Sequence, residues 1–357
     1  MMKRILLLAF TLLLIYSCES SMNEVDNLDN ILKTAMIIAA PNGHITYYFL
    51  PNSNDFVRIP QDDNNPLTEK KVALGQLLFH ETALALEPIM SANKGTYSCA
   101  SCHHAQAGFS AGTFQGIGEG GIGFGMRGER RVPDINVLDH DVQPVKSPTI
   151  LNAAYQEVML WNGQFGAKGI NENTQQGWSR GTPKENNYLG FEGIETQAIA
   201  GLTVHRQNID ESIKQMPVYK QLFDEVFGNI PIQERYTRNT AGLAIAAFER
   251  TVLANDSPWQ KYLKGNKIAL SNDQKKGAIL FFTKGQCVNC HTGPALNSMT
   301  FRAIGMADLV DCPEPTLKTS PSNPENLGRG GFTGKQEDNY RFKVPQLYNL
   351  KNVNFFG

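Results

Sequence analysis

Two short cysteine–histidine motifs carry the clearest chemical signal in this 357-residue chain. They are Cys99-Ala100-Ser101-Cys102-His103 and Cys287-Val288-Asn289-Cys290-His291. C-x-x-C-H is the attachment signature of c-type haem, because residues three and four apart on a helical turn share a face. The two thiols can reach the vinyl groups along one porphyrin edge while the histidine binds iron axially. We therefore predict two covalently bound c-type haems, with the motif cysteines as anchors and His103 and His291 as iron ligands.

Two other uses of these cysteines stay open. A local disulfide within each pair would account for the cysteines but would leave both histidines without a role. A zinc site assembled from all four cysteines would need a much longer intervening segment than zinc ribbons have. Haem is the interpretation that explains every residue of both motifs.

Length and charge limit the remaining classes of protein. The chain is long enough for about two domains, and its 41% hydrophobic and 19% charged residues are typical of a folded protein. Its 33 basic and 34 acidic residues give a formal charge of −1, so the basic excess that attracts a phosphate backbone is missing. We therefore expect no nucleic-acid partner.

Residues 1–17 are typical of a signal peptide, because a positively charged start precedes an apolar run too short to span a bilayer. The end of this segment, Ser17-Cys18, resembles a bacterial lipobox. We predict an exported lipoprotein of the periplasm or outer membrane, attached to the membrane through lipidated Cys18. The alternative is ordinary signal-peptidase cleavage in which Cys18 has no role. Residues 18–65 would then form a tether and an N-terminal arm.

The sequences around the two motifs resemble the diheme bacterial cytochrome c peroxidases. The resemblance runs from about residue 66 to the end, in family order, and includes the diheme relatives that oxidise tryptophans in the methylamine dehydrogenase precursor. The matching segments outside the motifs are Lys71–Phe79, Ser147–Ala154, Trp161–Gly163, Ala246–Thr251, Lys276–Phe282 and Phe342–Pro345.

The resemblance implies a mainly α fold with two cytochrome c-like haem domains. We expect a peroxidatic haem domain over 66–235 and an electron-transfer haem domain over 236–357. Sequence patterns predict a helix capped by Thr68 and ending at His80, and a second over Asn239–Leu253. Long loops are predicted over Gly108–Gly128 and 166–190, and a small β-hairpin arm over His44–Leu50.

The resemblance also implies an activity. Hydrogen peroxide would be reduced to water at the first haem, with electrons relayed through the second haem from a small cytochrome or another periplasmic donor. A homodimer is implied as well. The alternatives are a diheme enzyme that oxidises a protein or organic substrate with peroxide, and a diheme electron-transfer cytochrome.

Three residues are candidates for the chemistry at the first haem. Trp161 resembles the family tryptophan between the haems, and Gln197 resembles the distal glutamine of its Gln-Ala motif. The family glutamate ten residues later falls on Gln207, which cannot exchange a proton. His205 stands two residues earlier and suits acid–base work near neutral pH, so we predict that it replaces the glutamate. The alternatives are a structural role for His205, or proton transfer by Glu195.

Three further departures from the family affect the cofactors. No histidine lies between Gln106 and Asp139, where many members hold a distal ligand, so we expect an open peroxide haem; His140 is a displaced candidate. Lys146 replaces the asparagine of the family's calcium site, which makes calcium doubtful: the lysine either stands in for its charge or is an ordinary surface residue. The methionine ligand of the second haem is expected beyond residue 357, which would leave that domain incomplete, with Met299 and Met306 as weaker candidates.

Overall fold

The computed structural model describes residues 27–123, 130–131, 140–144, 146–305 and 317–352. The predicted signal peptide, Cys18, Met306 and Cys312 lie outside these residues. The chain forms two compact units. The smaller unit joins the chain up to Leu50 with Asn255–Leu296, and the larger joins Pro51–Ala254 with the chain from Asn297 onward. The chain therefore passes between units at 254/255, whereas the sequence placed a domain boundary at 235/236.

Helices dominate both units, as the predicted mainly α class requires, and most connections are short 3-10 turns. In chain order the helices are α1 (27–39), α2 (Glu69–His80), α3 (Gly193–Val204), α4 (Glu211–Gln215), α5 (Pro217–Phe227), α6 (Ile232–Arg235), α7 (Arg238–Thr251), α8 (Pro258–Leu263), α9 (Asn272–Phe282) and α10 (Arg329–Thr333). Strands β1 (Phe301–Arg302) and β2 (Phe342–Lys343) pair antiparallel, with Phe301 opposite Lys343. No described helix has the length and apolar character needed to cross a membrane.

The core of the larger unit is built on α2, α3 and α7. Thr68 caps α2, since its hydroxyl accepts a hydrogen bond from the Lys71 amide at 3.2 Å, and both helices predicted from the sequence are confirmed within two residues. The helices approach closely at glycines. A Cβ added to Gly75 of α2 would lie 1.8 Å from the Ala244 carbonyl oxygen of α7. This close contact fixes α7 against α2.

A buried ion pair joins α3 to α7. The Arg250 guanidinium donates to both Glu195 carboxylate oxygens, at 2.8 and 2.7 Å, and to Glu192 Oε2 at 2.9 Å. Arg250 and Glu195 are both 0% exposed. A bidentate arginine–carboxylate pair satisfies several donors and acceptors at once, which is what makes burial of two charges tolerable.

The smaller unit packs α1, α8 and α9 around an aromatic and aliphatic core. Lys275 of α9 is 2% exposed and its ammonium lies 2.8 Å from Asp29 Oδ1 of α1. Tyr262 of α8 donates to the same oxygen at 2.9 Å. All three helices are therefore linked through one buried carboxylate.

The β-hairpin predicted over His44–Leu50 is wrong, because Ile45–Tyr48 form a 3-10 turn. Tyr48 turns into the core and packs edge-on against Phe282, with ring centroids 5.2 Å apart. The Gln260 side chain accepts from the Leu50 amide at 2.9 Å and donates to the Tyr48 carbonyl at 2.8 Å. A buried side chain thus satisfies the backbone groups that a strand partner would have used.

Both long loops are confirmed as irregular where the structure describes them. The first contains isolated bridges such as Ile117 with Val142. The second contains the 3-10 turns Gly169–Asn171, Gln175–Gly177 and Pro183–Leu189. Asn171 is fully buried and donates to the carbonyls of Gly163 and Gly166 at 2.8 Å each. Buried side-chain amides therefore anchor the second loop in place of secondary structure.

Candidate functional site

The two cysteine–histidine motifs adopt the same local conformation. Each forms a 3-10 turn, Cys99–Ser101 and Cys287–Asn289. In each, the histidine amide donates to the carbonyl of the first cysteine, at 3.1 Å for His103 and 2.9 Å for His291. The cysteines of both pairs are free thiols, so the disulfide alternative is wrong. No three described His, Cys, Asp or Glu side chains gather as a metal site.

Both motif histidines are oriented by a backbone carbonyl. His103 Nδ1 lies 3.2 Å from the Phe109 oxygen, and His291 Nδ1 lies 3.2 Å from the Leu296 oxygen. When Nδ1–H donates to the carbonyl, Nε2 keeps its lone pair for a metal ion. Phe109 and Leu296 have φ of 56° and 49°, a left-handed conformation that is costly for such residues. Each motif is therefore followed by a residue in the left-handed conformation whose carbonyl orients the motif histidine.

A cavity of about 290 Å³ adjoins the first motif within the larger unit. Cys99, Cys102 and His103 contribute to its wall. Helix α3 contributes Gln197, and His205, directly after the end of that helix, also lines the cavity. Burial lowers the pKa of His103 to about 4, so its imidazole is neutral, the form that binds metals. Two thiols, a neutral imidazole and a mainly apolar wall fit a covalently held haem.

His205 is held by a carboxylate that the sequence analysis did not identify. His205 Nδ1 lies 2.6 Å from Asp141 Oδ2, and Arg206 Nη2 lies 3.4 Å from the same oxygen. Burial disfavours the charged form of Asp141, but His205 and Arg206 outweigh it and hold the pKa of that carboxyl below its usual range. Asp141 is 64 residues away in the chain, and no local motif marks it.

The other proton-transfer candidates are placed differently. Glu195 is bound to Arg250 and is not among the described residues that line the cavity. Gln207 lines the cavity with its Oε1 3.8 Å from Cys99 Sγ. Of the histidines in the described chain, His103 and His205 line this cavity, while His104 and His140 do not. Of the three side chains considered from the sequence for proton transfer, His205, Glu195 and Gln207, His205 alone both lines the cavity and can exchange a proton.

Residues 69–268, more than half of the chain, match the family described as di-haem cytochrome c peroxidase. The chain belongs to this di-haem peroxidase family. It is 29% identical over 302 residues to the methylamine utilization protein MauG of Methylorubrum extorquens, which covers 82% of this chain and 65% of that protein. It is 28% identical over 280 residues to the cytochrome c551 peroxidase of Nitrosomonas europaea, covering 78% and 65%.

The same di-haem peroxidase similarity extends to a third curated protein and to a solved structure. Cytochrome c peroxidase Ccp of Escherichia coli is 28% identical over 288 residues, covering 80% of this chain and 49% of that protein. The chain thus spans at most about 65% of these relatives. A crystal structure of a MauG-like protein associated with microbial copper homeostasis shares the fold, with a TM-score of 0.53 at 21% identity over 85% of this chain and 75% of that one.

Membership of the di-haem peroxidase family implies two haem cofactors, which agrees with the two equivalent motifs.

The remaining residues predicted from the sequence lie outside the first motif. Trp161 lies outside the wall of the first cavity and lines a neighbouring one. Lys146 is only 6% exposed, and its ammonium donates to the carbonyls of Ala111 and Thr113 at 3.3 and 3.0 Å. The surface-lysine alternative is therefore wrong. Met299 belongs to the larger unit, whereas the second motif belongs to the smaller one.

Glu249 is a cavity residue that the sequence analysis missed. It lies on α7, is 4% exposed and lines the first cavity. Its Oε2 has no hydrogen-bond partner among the described residues. Burial, and then the charge of Glu195, raise the pKa of this carboxyl to about 8. Glu249 is therefore a neutral acid at pH 7, inside the segment Ala246–Thr251 that carries the family resemblance.

Replacing Glu249 by glutamine is expected to raise the melting temperature of the haem-loaded protein above pH 7. The folded carboxyl has a pKa of about 8 and the unfolded one a value near 4.5, so the folded state binds more protons between these values. The stability that the protonated acid contributes is complete below pH 4.5 and is lost as pH rises to 8. Glutamine stays neutral and avoids this loss.

Thermal unfolding from pH 4.5 to 8 checks this prediction. The parent and Glu249→Gln proteins should melt together at pH 4.5 and diverge as pH rises. Glu234→Gln, at an exposed position on α6, is the control and should follow the parent throughout. Parallel curves for parent and Glu249→Gln would show that Glu249 is not protonated in the fold.

Proposed function

We propose that this chain is a diheme c-type cytochrome peroxidase that reduces hydrogen peroxide to water at the haem of the first motif. One observation carries the proposal: a single cavity unites Cys99, Cys102 and His103 with Gln197 and His205. Covalent anchors, an iron ligand and a proton-transferring side chain are the groups that this reaction requires. When bound, the haem would supply an iron centre that collects electrons one at a time from the donor and delivers two of them to each peroxide.

The protein side chains handle the protons. One turnover consumes one peroxide, two electrons and two protons and yields two water molecules. His205 Nε2 accepts a proton from one peroxide oxygen and returns it to the oxygen that departs as water. Asp141 fixes the imidazole by accepting its Nδ1–H, which is the arrangement of an oriented general base. The Gln197 amide donates a hydrogen bond that positions the peroxide.

Electrons reach this site from outside the larger unit. We assign their entry to the haem of Cys287, Cys290 and His291, and we assign Trp161 the part of an aromatic bridge. The donor would be a small cytochrome or another periplasmic protein. Export, attachment through Cys18 and homodimer formation remain predictions from the sequence. Calcium is left out, because a buried ammonium at Lys146 disfavours a divalent cation beside it.

A second candidate function is peroxide-driven oxidation of a protein or organic substrate. The 29% identity to a MauG protein favours it. A pure electron-transfer cytochrome is less well supported, because such a protein needs no His–Asp pair beside its haem. The source of the reducing electrons separates the first two functions. When peroxide is supplied, a peroxidase turns over with a reduced cytochrome as its only reductant, whereas the second kind of enzyme takes its electrons from the protein or organic substrate.

For the test, the protein is exported from a host cell that contains the cytochrome c maturation machinery. We expect two covalent haems per chain by the pyridine assay, and one haem per chain in each of the variants Cys99→Ser/Cys102→Ser and Cys287→Ser/Cys290→Ser. The parent should oxidise a reduced cytochrome when peroxide is added, and the first double variant should not. A parent that carries two haems but leaves peroxide and the reduced cytochrome unchanged would disprove the peroxidase.

A further inference from the structure

A second cavity of about 160 Å³ lies beside the first in the larger unit. Trp161 and Lys343 form part of its wall, and Lys146, Ser147 and Leu160 belong to the walls of both cavities. The two cavities therefore share part of their walls. Neither the motifs nor the proposed peroxide chemistry assigns the second cavity a ligand.

Two buried lysines belong to the wall of the second cavity. Lys146 and Lys343 are 6% and 5% exposed, and no described residue of the wall is Asp or Glu. Lys343 Nζ donates to two neutral acceptors, Gln156 Oε1 at 2.5 Å and the Val158 carbonyl at 2.6 Å. Among the described residues no carboxylate forms an ion pair with Lys343. Burial lowers the pKa of this lysine to about 7, because it removes water from around the ammonium.

The indole N–H of Trp161, next to Lys343, is a second buried donor that lacks a suitable partner among the described residues. The indole Nε1 of Trp161 is buried and has no acceptor among the described residues, although an indole N–H can only donate. The Lys343 amide donates to the Trp161 carbonyl at 2.8 Å, so β2 holds the tryptophan and the lysine side by side. Buried donors of this kind are rarely left without a partner in folded proteins.

An uncompensated buried cation and an unused N–H donor require the same partner. A carboxylate supplies one negative charge and two acceptor oxygens, and charge-assisted hydrogen bonds to it are about twice as strong as neutral ones. We propose that the second cavity binds a carboxylate group between the Lys343 ammonium and the Trp161 indole N–H, with Lys146 adding to the positive field. The carboxylate is either a propionate of a haem in the first cavity or a free small-molecule acid. The propionate source rests on the proposed function, whereas the free acid does not.

The experiment compares the haem-loaded parent with Lys343→Met and with Lys343→Arg, which keeps the charge. Acetate and benzoate are titrated calorimetrically, and the propionate bands of the haem are recorded by resonance Raman spectroscopy. For a free acid we expect binding by the parent and the arginine variant, and at least tenfold weaker binding by Lys343→Met. For a haem propionate we expect no added acid to bind, but shifted propionate bands and a lower reduction potential in Lys343→Met and not in Lys343→Arg.

A second variant keeps the test decisive if Lys343→Met does not fold. Trp161→Phe removes the N–H donor and retains an aromatic ring, so it should produce the same change in smaller size. Absence of acid binding in the parent, with unchanged propionate bands in the variants, would overturn the proposal. Haem content and peroxide turnover are measured on the same samples, so a failure of the carboxylate site is distinguishable from a failure of the peroxidase.

Discussion

Replacing His205 by glutamine should slow the reaction of the oxidised protein with hydrogen peroxide by a factor of about 10² to 10⁴. A positioned general acid–base group contributes a rate factor of this size, and glutamine keeps a polar side chain but cannot exchange a proton. Stopped-flow spectroscopy of the Soret band at increasing peroxide concentration gives the second-order rate constant. Asp141→Asn should cause a smaller loss, because the imidazole stays in place but its Nδ1–H loses a charged acceptor 2.6 Å away.

Two controls separate proton transfer from iron ligation by His205. Gln207→Asn alters a neighbouring cavity residue without removing a titratable group and should change the rate constant little. The parent should show one high-spin ferric haem. A low-spin parent spectrum that becomes high-spin in His205→Gln would instead identify His205 as an iron ligand. An unchanged rate constant in His205→Gln would assign the proton transfer elsewhere, with Glu249 as the next residue to test.

Replacing Arg250 by methionine should lower the free energy of unfolding by about 3–5 kcal/mol. Loss of one partner from a buried ion pair leaves the other as an uncompensated buried charge, and penalties of this size result. Here Glu195 would keep its charge at 0% exposure, and Glu192 would lose the same partner. Urea denaturation of the haem-loaded protein, followed by far-ultraviolet circular dichroism, measures the change.

Arg58→Met provides the matched control for this loss. Arg58 pairs with Asp55 at 2.6 Å, but its side chain is 74% exposed, and exposed pairs contribute only about 0–1 kcal/mol. The double variant Glu195→Gln/Arg250→Met should recover part of the stability, because it removes the buried negative charge together with its partner. A loss in Arg250→Met no larger than that in Arg58→Met would contradict the buried-pair account.

Local signals in the sequence predicted the parts of the fold that depend on local chemistry. Thr68 and the spacing of Leu78 and Phe79 predicted α2, and the two motifs predicted helical turns, which the structure forms as 3-10 turns. The β-hairpin failed because the side chain of Gln260, more than 200 residues away, satisfies the backbone near Tyr48. Asp141 and Glu249 escaped notice for a similar reason: their importance comes from burial and from partners that only the folded chain brings close.

The role of His205 shows where sequence comparison alone is insufficient. Its position two residues before the family glutamate identified it as a candidate, but the sequence could not distinguish a catalytic from a structural histidine. The His205–Asp141 distance and the shared cavity favour the catalytic assignment. For Lys146 the sequence left two alternatives, a charge in place of calcium or an ordinary surface residue, and only its burial in the fold excludes the second.

The left-handed residues Phe109 and Leu296 define how much sequence a transplanted haem site needs. A pentapeptide moved into another scaffold would bring both thiols and the imidazole, but not the carbonyl that stops the imidazole from rotating about its Cβ–Cγ bond. The transferable module therefore runs from Cys99 to Phe109, or from Cys287 to Leu296. On the proposed haem function, a graft of C-x-x-C-H alone should leave the histidine in several orientations, and a graft of the longer module should hold it in one.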